Sequence, residues 1–489
     1  MISIFLAGEG RGDVDVPLDS WVYRALDRLQ ASGLVESGSL SSRPISRREA
    51  ARLTVEARRR TAERGEKRYD GAIRRLEQEF SAEIRDMDNH TRTSYLRPLD
   101  EVRAEGLFRD DASDPYNDRG RESRDGLNTR MSASSRAEWG PFSGYLRWEG
   151  QHLPQDGAEP EDASGRVDEG YGRISLGNWN LTAGREALWW GPGRHGSLLL
   201  SDNARPFDLL RFGNDQPVLL PWLMERLGPI RVETFLTRLE GDREGPEHPY
   251  LAGMRMTIMP LPYLELGASR VAMFGGSGRP VDWQTGRDIM TGRGENEPAG
   301  PGDQLASLDC RLTVPWSAQP FQLYGELGGE DMAGFFFSRQ AYLAGVYLPR
   351  LGPASLLDLR VEFADTDYSR REGYPRTWYT HGTYTEGYTY DDRFIGHHAG
   401  TDAQDLYAEV GVYVRDDLRL WVAADRERRE LSLEHPEMAT EYSLGAEWTP
   451  WERLTVSLAF TREETNNFEF VSGQDRTGNR IFAGVTWRF

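Results

Sequence analysis

The sequence predicts an antiparallel all-β transmembrane barrel that follows an amino-terminal α-helical bundle. Three observations predict this fold class. The last strand ends on an aromatic residue, many short segments alternate in polarity, and the links between these segments alternate between tight turns and long loops. Taken alone, the last strand could be the edge of a soluble sheet. Together, the observations favour a barrel in the outer membrane of a Gram-negative bacterium.

The last strand covers residues 481–489. Successive side chains of an extended chain point to opposite faces. One face is apolar throughout and carries Ile481, Ala483, Val485, Trp487 and Phe489. The other face carries Phe482, Gly484, Thr486 and Arg488. This ending resembles the terminal signal by which outer-membrane β-barrels are recognised and closed, with apolar residues at every second position back from a final Phe.

The composition excludes a helical membrane protein. Only 38% of the residues are hydrophobic and the mean hydropathy is −0.64, and no run approaches the ~18 consecutive apolar residues of a membrane helix. A barrel stays possible, because its strands are apolar on one side only. The 52 glycines, 14 Trp, 20 Tyr and 19 Phe fit many turns together with aromatic girdles at the membrane surfaces.

The charge distribution places a boundary near residue 90. Residues 1–90 hold 16 basic and 16 acidic residues, so the rest of the chain carries the whole formal charge of −19. This acidity argues against a nucleic-acid partner, because phosphate binding needs a basic surface. The single cysteine, Cys310, rules out an intramolecular disulfide. We therefore expect a start at 1–15, a helical bundle at 16–90 and a barrel at 91–489.

The start of the chain is apolar. Residues 1–8 end on small side chains but have no basic beginning. This pattern is typical of the tail of a signal peptide. We expect residues 1–15 to be the remnant of a truncated export signal or a disordered start.

Three amphipathic helices are predicted in residues 16–90. Asp19 or Ser20 caps the first helix and Gly33 ends it. The second begins at Ser46, where Glu49 completes a capping box. The third follows the next glycine, and its apolar residues recur at helical spacing: Tyr69, Ile73, Leu76, Phe80, Ile84 and Met87. Residues 33–53 are also similar to a single S-layer-homology repeat, which implies peptidoglycan or another envelope protein as a partner of these helices.

Strand alternation replaces helical periodicity from about Arg130 onward. The clearest segments are 406–414, 418–424, 442–448 and 454–460, and less regular ones are 173–177, 231–236, 261–268, 321–327 and 356–363. Tight links occur at 415–417 and 449–453, and long links at 156–169, 282–303 and 369–405. Short turns on one side and long loops on the other are typical of an outer-membrane barrel. The ~400 residues available allow about 16–20 strands, with the helices and long loops as fillers of the lumen.

Two stretches resemble the capsule-assembly family of outer-membrane proteins known as Wzi. They are residues 184–206, which include Trp-Trp-Gly-Pro-Gly-Arg-His-Gly, and residues 378–402, which are rich in Tyr and Thr. The resemblance implies an eighteen-stranded barrel, plugged on the periplasmic side by the helical bundle and closed outside by loops. It also implies a lectin-like role, in which the protein holds exported capsular polysaccharide at the cell surface.

Both stretches offer the mixture of side chains that binds sugars. Aromatic faces pack on C–H surfaces of a sugar while polar groups fix its hydroxyls. The candidate polysaccharide-binding residues are Trp189, Trp190, Arg194, His195, Asn203 and Arg205 in the first stretch, and Trp378, Tyr379, His381, Tyr384 and Tyr388 in the second. The other interpretation is structural, since Trp and Tyr also anchor barrels at the membrane interface and Arg–acid pairs fill lumens.

The sequence gives little reason to expect catalysis, a cofactor or a metal. Residues 191–196 match G-x-G-x-x-G, but they lack the strand–helix context of a dinucleotide site. His195 and Ser197 have no G-x-S-x-G elbow around them. His397 and His398, with Asp402 and Asp405, could hold a metal, but adjacent histidines on a strand would point in opposite directions.

We therefore expect a non-enzymatic protein that binds surface polysaccharide and sits in outer-membrane lipid. Two other functions stay open. A channel for sugars or other solutes would need an unobstructed lumen. A barrel hydrolase would need a Ser, a His and an acid within hydrogen-bond reach at the outer rim.

Overall fold

The computed structural model describes residues 12–89, 94–157, 159–282, 287, 302–333, 336–352, 356–368, 373 and 376–489. Four helices come first: α1 Trp21–Ala31, α2 Arg47–Arg64, α3 Asp70–Glu79 and α4 Ser81–Asn89. Four short strands of the described residues lie outside the barrel wall in two pairs: β1 Ser42–Arg43 with β7 Trp189–Trp190, and β16 Thr389–Tyr390 with β17 Arg393–Phe394. No helix in the described part of the chain is long and apolar enough to cross a membrane.

Eighteen antiparallel strands of the described chain close into a barrel, which confirms the predicted fold class. They are β2 Tyr95–Asp110, β3 Gly126–Trp139, β4 Phe142–Leu153, β5 Asp162–Leu176, β6 Trp179–Glu186, β8 Phe207–Asn214, β9 Ile230–Arg238, β10 Tyr250–Leu261, β11 Leu264–Phe274, β12 Gly302–Val314, β13 Phe321–Ala333, β14 Phe336–Leu348, β15 Leu357–Asp365, β18 Gln404–Arg415, β19 Leu418–Arg429, β20 Glu437–Trp451, β21 Leu454–Asn466 and β22 Arg476–Arg488. The last strand closes the barrel on the first, with Glu101 opposite Arg488 and Asp110 opposite Asn479.

The two ends of the barrel differ in the length of their links. At one end, five links have two residues each: 140–141, 177–178, 262–263, 416–417 and 452–453. The opposite end carries the links 111–125, 187–206 and 366–403. Short turns of transmembrane barrels face the periplasm and long loops face outward. We therefore call the end with the short turns the inner end and the opposite one the outer end.

The helices enter the barrel from the inner end. The amide of Gly12 donates to the carbonyl of Gly140 at 2.7 Å, and Gln78 Nε2 donates to Glu452 Oε1 at 2.7 Å. The caps are those expected: Ser20 caps α1, and Ser46 caps α2 by accepting from the amide of Glu49. We call residues 12–89 the plug.

The predicted third helix is wrong in one respect, because it divides into α3 and α4 at Phe80. At the break, Arg47 pairs with the carboxylates of Glu79 and Glu83, at 2.7 and 2.6 Å. Arg47 also donates to the carbonyl of Glu79 at 2.7 Å. A buried arginine thus compensates for the interrupted helix.

Arginines on inward strand positions hold the plug in the lumen. Arg231 of β9 donates to the carbonyls of Ser42 and Pro44, both at 2.8 Å. Arg311 of β12 donates to Gln30 Oε1 at 2.9 Å. The inward face of the wall is therefore charged, while the outward face carries exposed apolar side chains that include Leu146, Leu308, Leu444, Leu458, Ile481 and Val485.

Three strand predictions need correction. The first wall strand begins at Tyr95, within the barrel expected at 91–489, although strand alternation is predicted only from about residue 130; a register shift between Arg97 and Glu101 interrupts the alternation of β2. Residues 261–268 span the turn between β10 and β11 instead of forming one strand. Residues 162–169 belong to β5, where they pair with β4, rather than to a long link.

Some predictions fall on residues outside the described part of the chain. Of the start expected at 1–15, residues 12–15 are described, and Asp13, Val14 and Asp15 are buried rather than disordered. The export-signal remnant at 1–11 lies outside the described part, and so does most of the predicted long link at 282–303. Both stay predictions.

Candidate functional site at the outer end of the lumen

Two segments close the outer end of the barrel. The first is the 187–206 loop between β6 and β8, and the second is the 376–403 segment before β18. The amide of Ser201 in the first donates to the carbonyl of Ile395 in the second at 3.0 Å. The stretches that suggested a binding site in the sequence are thus packed on each other.

The 187–206 loop also pairs with the plug. Strand β7 of the loop lies antiparallel to β1 of the plug, with Ser42 opposite Trp190 and Arg43 opposite Trp189. The amide of Gly191 extends the pairing by donating to the carbonyl of Ser41 at 2.9 Å. Because β1 is also bound to the barrel wall, this small sheet links the inner and outer closures of the lumen.

Three of the candidate residues line one cavity. Trp189, Arg194 and His195 surround a space of about 280 Å³ beneath the loop. Its other lining residues are mostly charged or aromatic and include Asp27, Arg43, Asp202, Tyr347, Arg360, Tyr407, Glu409 and Arg419. The amides of Arg194 and His195 donate to the carboxylate of Glu362 at 2.8 and 2.9 Å, which fixes the loop against β15.

The other candidates of the 187–206 loop lie elsewhere. Trp190 is fully buried, with its ring centroid 5.3 Å from that of Phe235. Asn203 Nδ2 donates to the carbonyl of Phe394 at 3.0 Å and so joins the two closing segments. Arg205 is half-buried at the outer surface, where it pairs with Asp391.

The aromatic candidates of the 376–403 segment form the core of the closure. Trp378, Tyr379, Tyr384 and Tyr388 are all at most 1% exposed, so their ring faces are covered in this state. The hydroxyls of Tyr379 and Tyr388 donate to the carbonyls of Leu198 and Leu199, at 2.5 and 3.0 Å, and the Tyr384 hydroxyl donates to that of Gly275 at 3.1 Å. Their contact with polysaccharide stays a prediction.

His381 differs from these aromatic residues, because it organises its own turn. Its Nδ1 accepts from the amides of Thr383 and Tyr384 at 3.1 and 3.3 Å. The half-buried His381 therefore stabilises its own turn, and its contact with polysaccharide stays a prediction.

A group of histidines and carboxylates lies between the two closing segments and the wall. The His195 ring stacks on Tyr407 with centroids 3.9 Å apart, and His195 Nε2 lies 3.2 Å from Asp425 Oδ2. Burial lowers the pKa of His195, but Asp425 and Asp405 outweigh it and raise the pKa to about 9. Among the described residues, two sets have the spacing of metal ligands: His195, His398 and Asp425, and His397, His398 and Asp405.

Sequence reasoning missed several residues that complete this outer site. Tyr116 of the 111–125 link stacks on His398 at 4.4 Å, and Arg119 of the same link pairs with Asp168 at 2.8 Å. Asp425 and Tyr407 come from strands. Nothing in the sequence indicates which residues of other strands lie beside them.

The fold and this closure define a class of protein: an outer-membrane β-barrel whose lumen is plugged from inside and covered from outside. Within that class, the chain belongs to the family of the capsule assembly protein Wzi, because the sequence profile of this family matches residues 109–479. The family suggested by the two sequence stretches is thereby confirmed.

A solved structure shows the same fold over nearly the whole chain. It is Wzi of Escherichia coli, described as an outer-membrane protein involved in group 1 capsule assembly and as a carbohydrate-binding β-barrel. The two chains are 22% identical, with a TM-score of 0.73 and coverage of 98% of this chain and 99% of that one.

A sequence relative is an uncharacterized 55.8 kDa protein in the cps region of Klebsiella pneumoniae. It is 34% identical over 182 residues, which is 36% of this chain. The match spans about a third of that protein, 35% of its length.

Proposed function

We propose that the protein binds exported capsular or other extracellular polysaccharide and helps to attach or organise it at the cell surface, without catalysing a reaction. Family membership supports this proposal, as does the carbohydrate binding described for the E. coli relative. The main observation behind the proposal is that the lumen is closed at both ends. This closure leaves the outer face as the surface available to a long polymer.

The closure makes a channel the weaker second candidate. A diffusing solute would have to pass the β1–β7 pairing and the packed tyrosines of the 376–403 segment. The hydrogen bonds between plug and wall would have to break for the lumen to open. A hydrolase gains no support either, because Ser197 is fully buried and donates to the main-chain carbonyl of Trp190.

The half-exposed groups at the outer surface are the best candidates for contact with the polymer. Arg205 and Asp391 pair there with side chains 33% and 35% exposed, and the Arg205 guanidinium lies 5.5 Å from the centre of the Tyr390 ring. Arg393 pairs with Asp114 nearby in the same way. These charged groups can bind sugar hydroxyls, whereas the Tyr390 ring is itself only 5% exposed.

We further propose that the exposed apolar side chains of the outward face contact outer-membrane lipid. We also propose that the plug contacts peptidoglycan or another envelope protein, because residues 33–53 are similar to a single S-layer-homology repeat.

A binding assay tests the proposed function. Polysaccharide purified from the surface of the producing cells is titrated into the full chain in lipid vesicles, and binding is compared with that of R205A and R415A. Arg415 is a matched control, because it is 59% exposed but lies at the inner end. We expect saturable binding, weakened at least about tenfold in R205A and unchanged in R415A. Absence of binding to the unmodified protein would overturn the proposal, and equal binding by both variants would remove Arg205 from it.

A further inference from the structure

Three imidazoles surround one carboxylate oxygen beneath the outer closure. Asp405 Oδ2 lies 3.5 Å from His195 Nε2, 3.6 Å from His397 Nε2 and 3.4 Å from His398 Nε2. Asp425 Oδ2 adds a second carboxylate 3.2 Å from His195 Nε2. These five side chains, which we call the histidine cluster, are at most 14% exposed.

The adjacent histidines can act together because they do not lie on a strand. His397 and His398 belong to the irregular chain between β17 and β18. Their rings are stacked, with centroids 4.5 Å apart and planes 28° apart, so both present Nε2 to Asp405. The objection that adjacent histidines point in opposite directions is therefore wrong here. Asp402, the other acid suggested by the sequence, instead accepts from Ser432.

The cluster contains polar atoms that lack hydrogen bonds. His398 has a side chain only 1% exposed; its Nδ1 makes no hydrogen bond among the described residues, and its Nε2 faces the carboxylates of Asp405 and Glu427 at 3.4 and 2.9 Å. In that same part of the chain, Asp405 Oδ1 and Asp425 Oδ1 are also buried without a hydrogen bond. Buried polar atoms nearly always have a partner, because leaving them unpaired costs free energy. A bound cation would supply partners to these groups together.

The charges also favour a cation. Most inward acids of the described wall pair with arginine, whereas the ion pairs of Asp405 and Asp425 in that part of the chain are with histidines alone. The neighbouring Glu427 lies 2.9 Å from His398 Nε2 and is itself paired with Arg429. Loss of the His195 proton on metal binding would leave these two carboxylates to balance the charge of the ion.

The spacing fits a transition metal. A tetrahedral ion with bonds of about 2.0–2.1 Å separates its ligand atoms by about 3.3 Å. The four carboxylate–imidazole distances of the histidine cluster run from 3.2 to 3.6 Å, and the ligand atoms within each of its two three-residue sets lie within 4.8 Å of one another. Imidazole nitrogen suits Zn²⁺ and Cu²⁺, whereas Ca²⁺ and Mg²⁺ prefer oxygen ligands alone.

We propose that the histidine cluster binds a divalent transition-metal ion of the Zn²⁺ type, with His398 as its central ligand. The ligands come from the 187–206 loop, the 376–403 segment and strands β18 and β19. The ion would fasten the two closing segments to each other and to the wall. His195 also lines the 280 Å³ cavity. This inference does not depend on polysaccharide binding.

Metal titration of the full chain without an affinity tag tests the proposal. Co²⁺ is titrated into chelator-treated protein in detergent, and visible absorption reports its coordination; Zn²⁺ then displaces it, and Ca²⁺ serves as the negative ion. We expect saturation near one equivalent and Zn²⁺-dependent protection against heat unfolding. H398Q and D405N should weaken Co²⁺ binding at least about tenfold, while H381Q and H152Q should leave it unchanged.

The controls match the chemistry of the variants. His381 lies in the same segment but bonds to its own turn, and His152 is 38% exposed beside Glu161. Co²⁺ binding that is absent from the unmodified protein, or that persists in H398Q, would overturn the proposal. If a variant does not fold, the titration of the unmodified protein still tests whether the chain binds Co²⁺.

Discussion

Three aspartates of the plug each lie among arginines. Asp15 pairs with Arg173 and Arg211, and Asp27 pairs with three further arginines. Asp19 lies 2.6 Å from Arg103, 3.4 Å from Arg119 and 3.0 Å from Arg147. Removing one partner from such a group leaves buried charge uncompensated, which costs more than the intact pair contributes.

Replacing Asp19 by asparagine tests how firmly these arginines hold the plug. We expect D19N to lower the free energy of unfolding by about 3 kcal/mol at pH 7, near the low end for buried pairs, because the Asp19 side chain is 21% exposed. D416N is the matched control, since Asp416 forms an exposed pair with Arg74 that is worth less than about 1 kcal/mol. Urea unfolding in detergent, followed by gel mobility, measures both.

The effect of D19N on stability should depend on pH. Burial raises the pKa of Asp19, but the arginines outweigh burial and hold the pKa well below the ordinary value of 3.8. A lowered carboxyl pKa stabilises the folded state above the ordinary value and loses that contribution as the pH falls below it. The difference between D19N and the unmodified protein should therefore shrink below about pH 4. A difference that grows on acidification would contradict this expectation.

Asp202 should behave in the opposite way. Burial raises the pKa of Asp202 to about 7, although Arg119 opposes the change. A raised carboxyl pKa lowers stability as the pH rises from the unfolded to the folded pKa, by about 1.4 kcal/mol for each pH unit between them. D202N should thus be more stable than the unmodified protein at pH 8 and no more stable near pH 4, in the same urea assay. Equal stability at both pH values would contradict the prediction.

At the scale of elements, the β1–β7 pairing depends on the backbone of Gly191. Its φ is +141°, and a methyl group there would lie 2.5 Å from Ser197 Oγ and 2.8 Å from Glu326 Oε2. We expect G191A to cost roughly 1–3 kcal/mol in the free energy of unfolding, because this backbone region suits glycine alone. Gly172 of β5 is the control, since a methyl group there meets no described atom within 4 Å. If G191A and G172A unfold at the same urea concentration, the pairing does not hold the loop.

The elements were easier to predict from the sequence than the site. The helix caps and the alternating strands from 406 to 489 follow from local rules, and the structure has them. Strand β2 was not predicted, because its alternation of polar and apolar side chains is interrupted where the register shifts. The sequence suggested His397, His398 and Asp405 of the histidine cluster, but it could not place His195 and Asp425 with them, because closure of the wall brings these two together from 230 residues apart along the chain.

At the scale of the whole molecule, the barrel is closed twice. The plug fills the inner end, the 187–206 loop and 376–403 segment cover the outer end, and β1 and β7 join the two. An eighteen-stranded barrel with nothing inside would leave an open pore. The position of these fillers makes the outer face, rather than the lumen, the surface on which we expect the protein to work.

Ion conductance of the full chain in a planar lipid bilayer tests the double closure most directly. We expect insertion without steady current, because plug and outer closure obstruct the lumen together. D15N, D19N and D27N combined should weaken the hold of the plug and produce intermittent openings. Steady conductance of the unmodified protein would contradict the closed barrel and favour a channel for small solutes.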